Sequence, residues 1–219
     1  MVNVSVFTGF ENQSKAYLEY SLDLGDIIHH PASTFIYTKT EFDRYNLLHR
    51  NDWAVVDASL HPEKGDVILI ELNAEQCLIP LDKVVWNEDM LMLGVLIAII
   101  KFHRGKSVLP DLNIADLSKS LNSLLIASPE TSFISQAVGN NMLPLGIPNG
   151  SLNVIERHVD YKDGDIAVVY QKSTFYCRRL NFSEGTLEDG YGISMPIQRP
   201  FSVEGVVTKT VILFRTLLQ

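Results

Sequence analysis

Val138-Gly139-Asn140-Asn141-Met142 opens, and Thr174-Phe175-Tyr176-Cys177-Arg178-Arg179-Leu180 closes, the stretch whose reading decides the fold. Between them lie Asn149-Gly150-Ser151 and Lys162-Asp163-Gly164-Asp165, two clusters of the residue types that tight turns require. An apolar run follows each cluster: Leu152-Asn153-Val154-Ile155-Glu156 after the first, Ile166 to Tyr170 after the second. Short apolar runs bounded by turn residues read as buried strands.

This stretch has an earlier counterpart. A shift of 99 residues lays Trp53-Ala54-Val55-Val56-Asp57 on Leu152-Asn153-Val154-Ile155-Glu156, Lys64-Gly65-Asp66-Val67 on Asp163-Gly164-Asp165-Ile166, and Leu81 on Leu180. The match runs without a gap over about thirty positions, the kind of self-similarity that marks a repeated unit. Upstream, Ile27-Ile28-His29-His30-Pro31 resembles Leu125-Ile126-Ala127-Ser128-Pro129. Downstream, Gly94-Val95-Leu96 resembles Gly205-Val206-Val207, with the second copy longer between Asn181 and Pro196. The reading is two tandem, mainly β domains, 1–104 and 105–219, joined by a linker at about 105–111 (Gly105, Lys106, Ser107, then Pro110-Asp111). Short helical segments are expected ahead of each: one starting at Ser14 with Tyr17, Leu18 and Leu22 at helical spacing, the other from Ala115 to Ile126.

Composition narrows the class. Of 219 residues, 46% are hydrophobic and 20% charged, ordinary for a folded chain and unlike a disordered one. A net charge of −8 offers no basic stripe, so direct nucleic-acid binding is not expected. The most apolar stretch, Met90 to Ile100, is shorter than the roughly 20 residues of a membrane helix, and its β-branched content fits a buried strand. The start, Met1-Val2-Asn3-Val4-Ser5, lacks a basic region followed by a long apolar run, so no export signal and no membrane role are expected. Cys77 and Cys177 sit in similar surroundings, which allows a disulfide. Two cysteines are read instead as free small hydrophobes in a reducing, cytoplasmic chain.

Familiar chemical motifs are missing. No phosphate-cradling glycine loop, H-E-x-x-H helix or paired C-x-x-C spacing occurs, so no cofactor and no metal are expected. His29 and His30 are adjacent, and on a strand their rings point to opposite faces. His61, Glu63 and Asp66 read as a solvated turn, and Gly164-Asp165 as turn chemistry.

Taken in order, Leu121-Asn122-Ser123-Leu124-Leu125-Ile126-Ala127-Ser128-Pro129, Val138 to Met142, Gly150, Gly164-Asp165-Ile166 and Arg178-Arg179-Leu180 resemble the UmuD/LexA family of self-cleaving serine-lysine proteins. The likeness extends to the first copy, where Gly9-Phe10, Asp23-Leu24, His30-Pro31, Gly65-Asp66 and Gly94-Val95 follow the UmuD order. The resemblance implies two LexA/UmuD C-terminal-like β domains forming a pseudo-dimer within one chain. In the family, a Ser-Gly-Asp-Ser-Met box supplies the nucleophile and a lysine in a Val-Lys-Lys/Arg-Leu strand supplies the base.

Neither group carries over. The nucleophile position falls on Asn141, whose amide has no comparable nucleophilic power. The base position falls on Arg178, whose guanidinium stays protonated. In the first copy the box becomes Thr40-Glu41-Phe42-Asp43-Arg44, without serine, and the base position becomes Ile79. The expectation is therefore no enzyme, with a displaced nucleophile such as Ser135 or Ser151 as the alternative. An Asn141–Arg178 hydrogen bond filling the old cleft is also expected. Thr8-Gly9-Phe10 stands where UmuD-type proteins cut themselves before a Gly-Phe step, which makes Thr8 and Gly9 cleavage-site-like.

By that resemblance the chain is a monomeric pseudo-dimer that binds a protein partner. The UmuD side implies a scaffold or subunit for an error-prone Y-family translesion polymerase in the SOS response to DNA damage. LexA-type repressors carry a helix-turn-helix ahead of this domain, and no room for one is expected before Gly9. Two alternatives are a regulator binding an active UmuD or LexA relative, and a hydrolase with the displaced serine. Arg157-His158, Arg178-Arg179 and Tyr191 are the exposed candidates for a partner surface.

Overall fold

A computed structural model of the chain describes residues 3–6, 20–21, 28, 30, 32–38, 47–49, 51–104 and 121–215. The described chain is mainly β, with one short helix, α1 (Leu121–Leu125). It forms two compact units, and they are not the contiguous halves 1–104 and 105–219. One comprises Met1–Asp23, Phe102–Gly105 and Asn122–Ile212; the other comprises Leu24–Lys101, Lys106–Leu121 and Leu213–Gln219. Most of the first expected helical segment lies outside the described residues, as does the 105–111 linker. Where that segment is described, it is a strand: β2 (Tyr20–Ser21) pairs antiparallel with β1 (Asn3–Val6), because ladder hydrogen bonds there outweigh helical spacing.

The unit holding Leu24–Lys101 is built on β3 (Thr34–Tyr37), β4 (Trp53–Asp57), β5 (Val67–Leu72), β6 (Glu75–Pro80) and β7 (Met90–Phe102). Their order across the antiparallel ladder is β3-β4-β7-β5-β6. All five residues of β4 are buried, as is the run Gly94 to Ile100 of β7, so alternation gives way to a continuous apolar strand. Ile68, Ile70, Ile79 and Val95 form a core cluster, packed by Leu60, Cys77, Leu81, Val84, Met90 and Met92.

The other unit repeats this ladder with β8 (Ser132–Gln136), β9 (Leu152–Glu156), β10 (Ile166–Gln171), β11 (Thr174–Asn181) and β14 (Phe201–Leu213), in the order β8-β9-β14-β10-β11. It is extended on one side by β12 (Thr186–Glu188) and β13 (Ser194–Pro196), and on the other by β1, parallel to β8, and β2. The hairpin β12–β13 is the extra length read between Asn181 and Pro196.

The two ladders agree residue by residue. Asp57 pairs with Val95 as Glu156 pairs with Val206, and both ladders bulge at the next step but one, between Val55 and Val56 and between Val207 and Lys209. Leu69 pairs with Gly94 as Val168 pairs with Gly205, and a second bulge follows in each. A bulge inserts one residue, bends the strand and increases its twist. At these bends a side chain does not fit. A Cβ on Gly94 would lie 2.7 Å from Val56 Cγ1 and 2.8 Å from the Asp57 carbonyl oxygen; one on Gly205 would lie 2.6 Å from Ile155 Cγ2.

The loops repeat as well. Gly65 and Gly164 take φ of 98° and 85°, and the next aspartate closes each turn: Glu63 N–H donates to Asp66 Oδ2 at 2.7 Å, and Lys162 N–H to Asp165 Oδ2 at 2.8 Å. An arginine then clasps each turn within its own unit. Arg104 donates to the Asp160 carbonyl at 2.6 Å and lies 3.4 Å from Asp165 Oδ2. Arg215 donates to the His61 carbonyl at 3.1 Å, pairs with the Glu63 carboxylate and lies 3.6 Å from Asp66 Oδ2. The His61–Glu63–Asp66 turn is thus exposed at His61 and Glu63, as a solvated connection is, and also holds an arginine.

Both hairpins turn through two non-glycine residues at positive φ, Asn73-Ala74 (53°, 62°) and Lys172-Ser173 (53°, 60°). Such type I′ turns favour glycine at the second position. Ala74→Gly and Ser173→Gly are each expected to raise stability by about 1 kcal/mol, seen as a higher urea midpoint at unchanged m-value. Gly94→Ala and Gly205→Ala are expected to lower it by about 1–3 kcal/mol on the same measurement, since the backbone behind each glycine has nowhere to move.

Candidate functional site

The Val138–Met142 box sits in a loop that its own polar side chains hold in place. Gly139, at φ 84°, donates its N–H to Asn149 Oδ1 at 2.8 Å, and Asn149 N–H donates to Asn140 Oδ1 at 3.2 Å. Met142 is buried among Phe133, Ile147, Ile155, Ile166, Val168 and Val207, with Phe175 and Cys177 of β11 packed against the cluster. That anchor leaves Asn141 exposed at the surface. Its carbonyl accepts the Gly190 N–H at 2.7 Å, which docks the box on the end of β12. Gly190 has no room for a side chain, since a Cβ would lie 2.7 Å from Pro144 Cδ.

Arg178 lies in β11 opposite Ala167. Its Nη1 donates to the Cys177 carbonyl at 2.7 Å, and the guanidinium stands 5.6 Å from the centre of the Tyr176 ring. The expected Asn141–Arg178 hydrogen bond is therefore not made: the guanidinium takes the nearer backbone carbonyl and ring. Ile79 occupies the corresponding place in β6 opposite Ile68, buried in the apolar cluster of its unit. Thr8, Gly9 and residues 40–44 lie outside the described residues.

The displaced-serine candidates, Ser151 and Ser135, are both buried. Ser151 donates its hydroxyl to the Pro148 carbonyl at 2.8 Å, and Ser135 lies within β8. Burial pushes the Cys177 thiol up to about 12, against the opposite pull of Arg178. Both cysteines are free, which rules out the disulfide. Among the described residues, no group of histidine, cysteine and carboxylate side chains is arranged to hold a metal ion.

Beside these positions the structure holds two polar clusters not singled out from the sequence. In one, Asp57 is 1% exposed and accepts from Ser33 Oγ (2.7 Å), Ser59 N–H (2.9 Å) and Ser59 Oγ (2.8 Å), with His30 Nδ1 at 3.0 Å. In the other, Glu156 is buried and accepts from Lys209 Nζ and Thr208 Oγ1, both at 3.1 Å; His158 stands 3.8 Å away and bonds Thr131 at 2.8 Å. The signal was present in the repeat, which aligns Asp57 with Glu156 and Ser59 with His158.

Of the surface candidates, Arg157 covers the Phe133 ring at 4.6 Å, and Arg179 forks onto Glu188 at 2.6 and 3.1 Å. Asn181 and Arg179 together hold the Glu188 carboxyl below its usual range. Tyr191 is exposed.

The Val138–Met142 box thus belongs to a mainly β unit and docks on the end of β12. Residues 98–188 match the Peptidase S24-like family, in agreement with the UmuD/LexA resemblance. The match covers fewer than half of the chain's residues and takes in both Asn141 and Arg178. No curated protein matches the chain. No helix among the described residues is long and apolar enough to cross a membrane.

The buried Asp57 cluster has a pH signature. Burial works to raise its carboxyl, but the Ser33, Ser59 and His30 bonds outweigh it and hold the group below its ordinary value. A carboxyl lowered in the folded state lends stability that is complete above its unfolded value, about 3.9, and lost as pH falls through the folded one. Asp57→Asn is expected to flatten the acid arm of the stability profile below about pH 4, read as urea midpoints against pH.

Proposed function

We propose that this chain is a non-catalytic, UmuD-like accessory protein, a tandem of two such folds in one chain that works by binding another protein. What supports the reading is the pair of residues that the UmuD/LexA resemblance assigns to the nucleophile and base positions. Asn141 stands at the nucleophile position, and Arg178, bonded to the Cys177 carbonyl, stands at the base position. Ile79, in the apolar core of the other ladder, repeats the loss. A serine acts as a nucleophile only when a neighbouring group takes its proton, and a guanidinium has no capacity to do so. The matched registers and bulges of the two ladders support duplication.

The partner this reading favours is an error-prone translesion polymerase subunit, in a cytoplasmic response to DNA damage. Joining two such domains in one chain makes their pairing intramolecular, at an effective concentration in the millimolar range for a short linker. It also frees the two faces to differ. The ladders already do, since one carries the β12–β13 hairpin and the other does not.

Two measurements test the proposal. Incubated with a serine-reactive fluorophosphonate, the protein is expected to stay unlabelled and to keep its intact mass; labelling abolished by Ser151→Ala or Ser135→Ala would overturn the non-catalytic reading. Affinity purification from cells treated with a DNA-damaging agent is expected to recover a translesion polymerase subunit. Recovery of an intact UmuD- or LexA-type relative alone would replace the scaffold role with a regulatory one.

A further inference from the structure

The two ladders differ most in how the last hairpin strand connects to the long strand. In one unit this connection builds β12 and β13, and Leu187 of β12 is fully buried against Ala167, Val169 and Leu180. In the other unit, a 3-10 turn at Leu81–Lys83 and residues 84–89 take its place. Val84 turns inward onto the Ile68–Ile70–Ile79 cluster. Its neighbours turn outward: Val85 is 83% exposed and Trp86 53%.

The connection has a fixed route. It leaves β6 at Pro80, opposite Val67, and enters β7 at Met90, opposite Leu72. It therefore runs back along the length of the β5–β6 hairpin. Leu91, 59% exposed and opposite Glu71, extends the apolar surface at the far end. A tryptophan and a valine side by side in water are costly unless something covers them, and tryptophan is enriched where partners dock.

The charge around this pair says what would cover it. From Glu71 to Leu91 the chain carries five carboxylates (Glu71, Glu75, Asp82, Glu88, Asp89) against one lysine, Lys83, a net −4 that is half of the chain's −8. Lys83 is itself spent on Asp82 at 3.6 Å. Such a field repels phosphate-bearing surfaces and attracts a basic one. We infer that the 82–91 surface docks a basic, extended segment of a partner protein, seating an apolar side chain on Val85–Trp86 and cations against Asp82, Glu88 and Asp89. The inference rests on the reading of the chain as a protein-binding subunit and names the chemistry of one contact.

Trp86 reports on its own site, because the only other tryptophan, Trp53, is buried in β4. The probes are a hexapeptide alternating lysine with leucine and a matched hexapeptide alternating lysine with serine, titrated against tryptophan emission of the full chain. The leucine peptide is expected to shift the emission to shorter wavelength and to bind at least tenfold tighter than the serine peptide. Glu88→Lys combined with Asp89→Lys, and separately Val85→Ser, each keep Trp86 as reporter and are expected to weaken binding at least tenfold. Equal affinity for the two peptides, or undiminished binding by either variant, would overturn the site. The peptide titration involves no polymerase, so its failure leaves the accessory role standing, and failure of the polymerase recovery leaves the site standing.

Discussion

The close approach of the long strand to its neighbour governs both units. At Gly94 and at Gly205 the backbone passes so near the adjacent strand that a single methyl group would strike Val56 and the Asp57 carbonyl, or Ile155. Glycine at that point lets a bulged thirteen-residue strand bend while keeping its ladder with two partners. Everything else follows from that bend. It sets which residues of β7 and β14 face β4 and β9, and so which apolar side chains share a core. A one-residue slip would turn every side chain to the opposite face.

Around this constraint the polar groups are arranged to close each unit. The glycine-aspartate turns at 65–66 and 164–165 bring a carboxylate back onto its own backbone, and an arginine then joins it from outside the hairpin. The arginines come from unexpected parts of the chain. Arg104 follows β7 but belongs to the unit of residues 122–212, and Arg215 follows β14 but belongs to the unit of residues 24–101. Neither half of the sequence therefore contains a complete unit. Charge-assisted bonds to a carbonyl and a carboxylate are among the stronger polar contacts a protein makes, which suits a closing position.

Two contacts hold the Val138–Met142 box in place. Met142 keeps the box anchored through apolar burial, and Gly190 keeps the loop docked through lack of a side chain. Neither contact depends on the group at position 141 or on the one at 178. Arg178 bonds the Cys177 carbonyl, and Ile79 joins an apolar core. The sequence showed an amide at position 141 and a guanidinium at position 178, because residue type alone decides whether a group can attack or take a proton. It did not show that Asn141 and Arg178 would ignore each other, because a flexible side chain chooses its partner from whatever the fold brings near.

The strands, the paired hairpins and the 99-residue repeat were legible in the chain itself, because turn residues and apolar runs act locally. Gly65, Gly150 and Gly164 announced their turns for the same reason: positive φ is tolerated by few residues. What the tertiary structure decided is which distant segments complete each unit. The exchange of Arg104 and Arg215, the strand pairing of Tyr20–Ser21 with Asn3–Val6, and the burial of Asp57 and Glu156 all join residues far apart along the chain. A local pattern specifies the shape of a segment, whereas its neighbour is set by the packing of the whole.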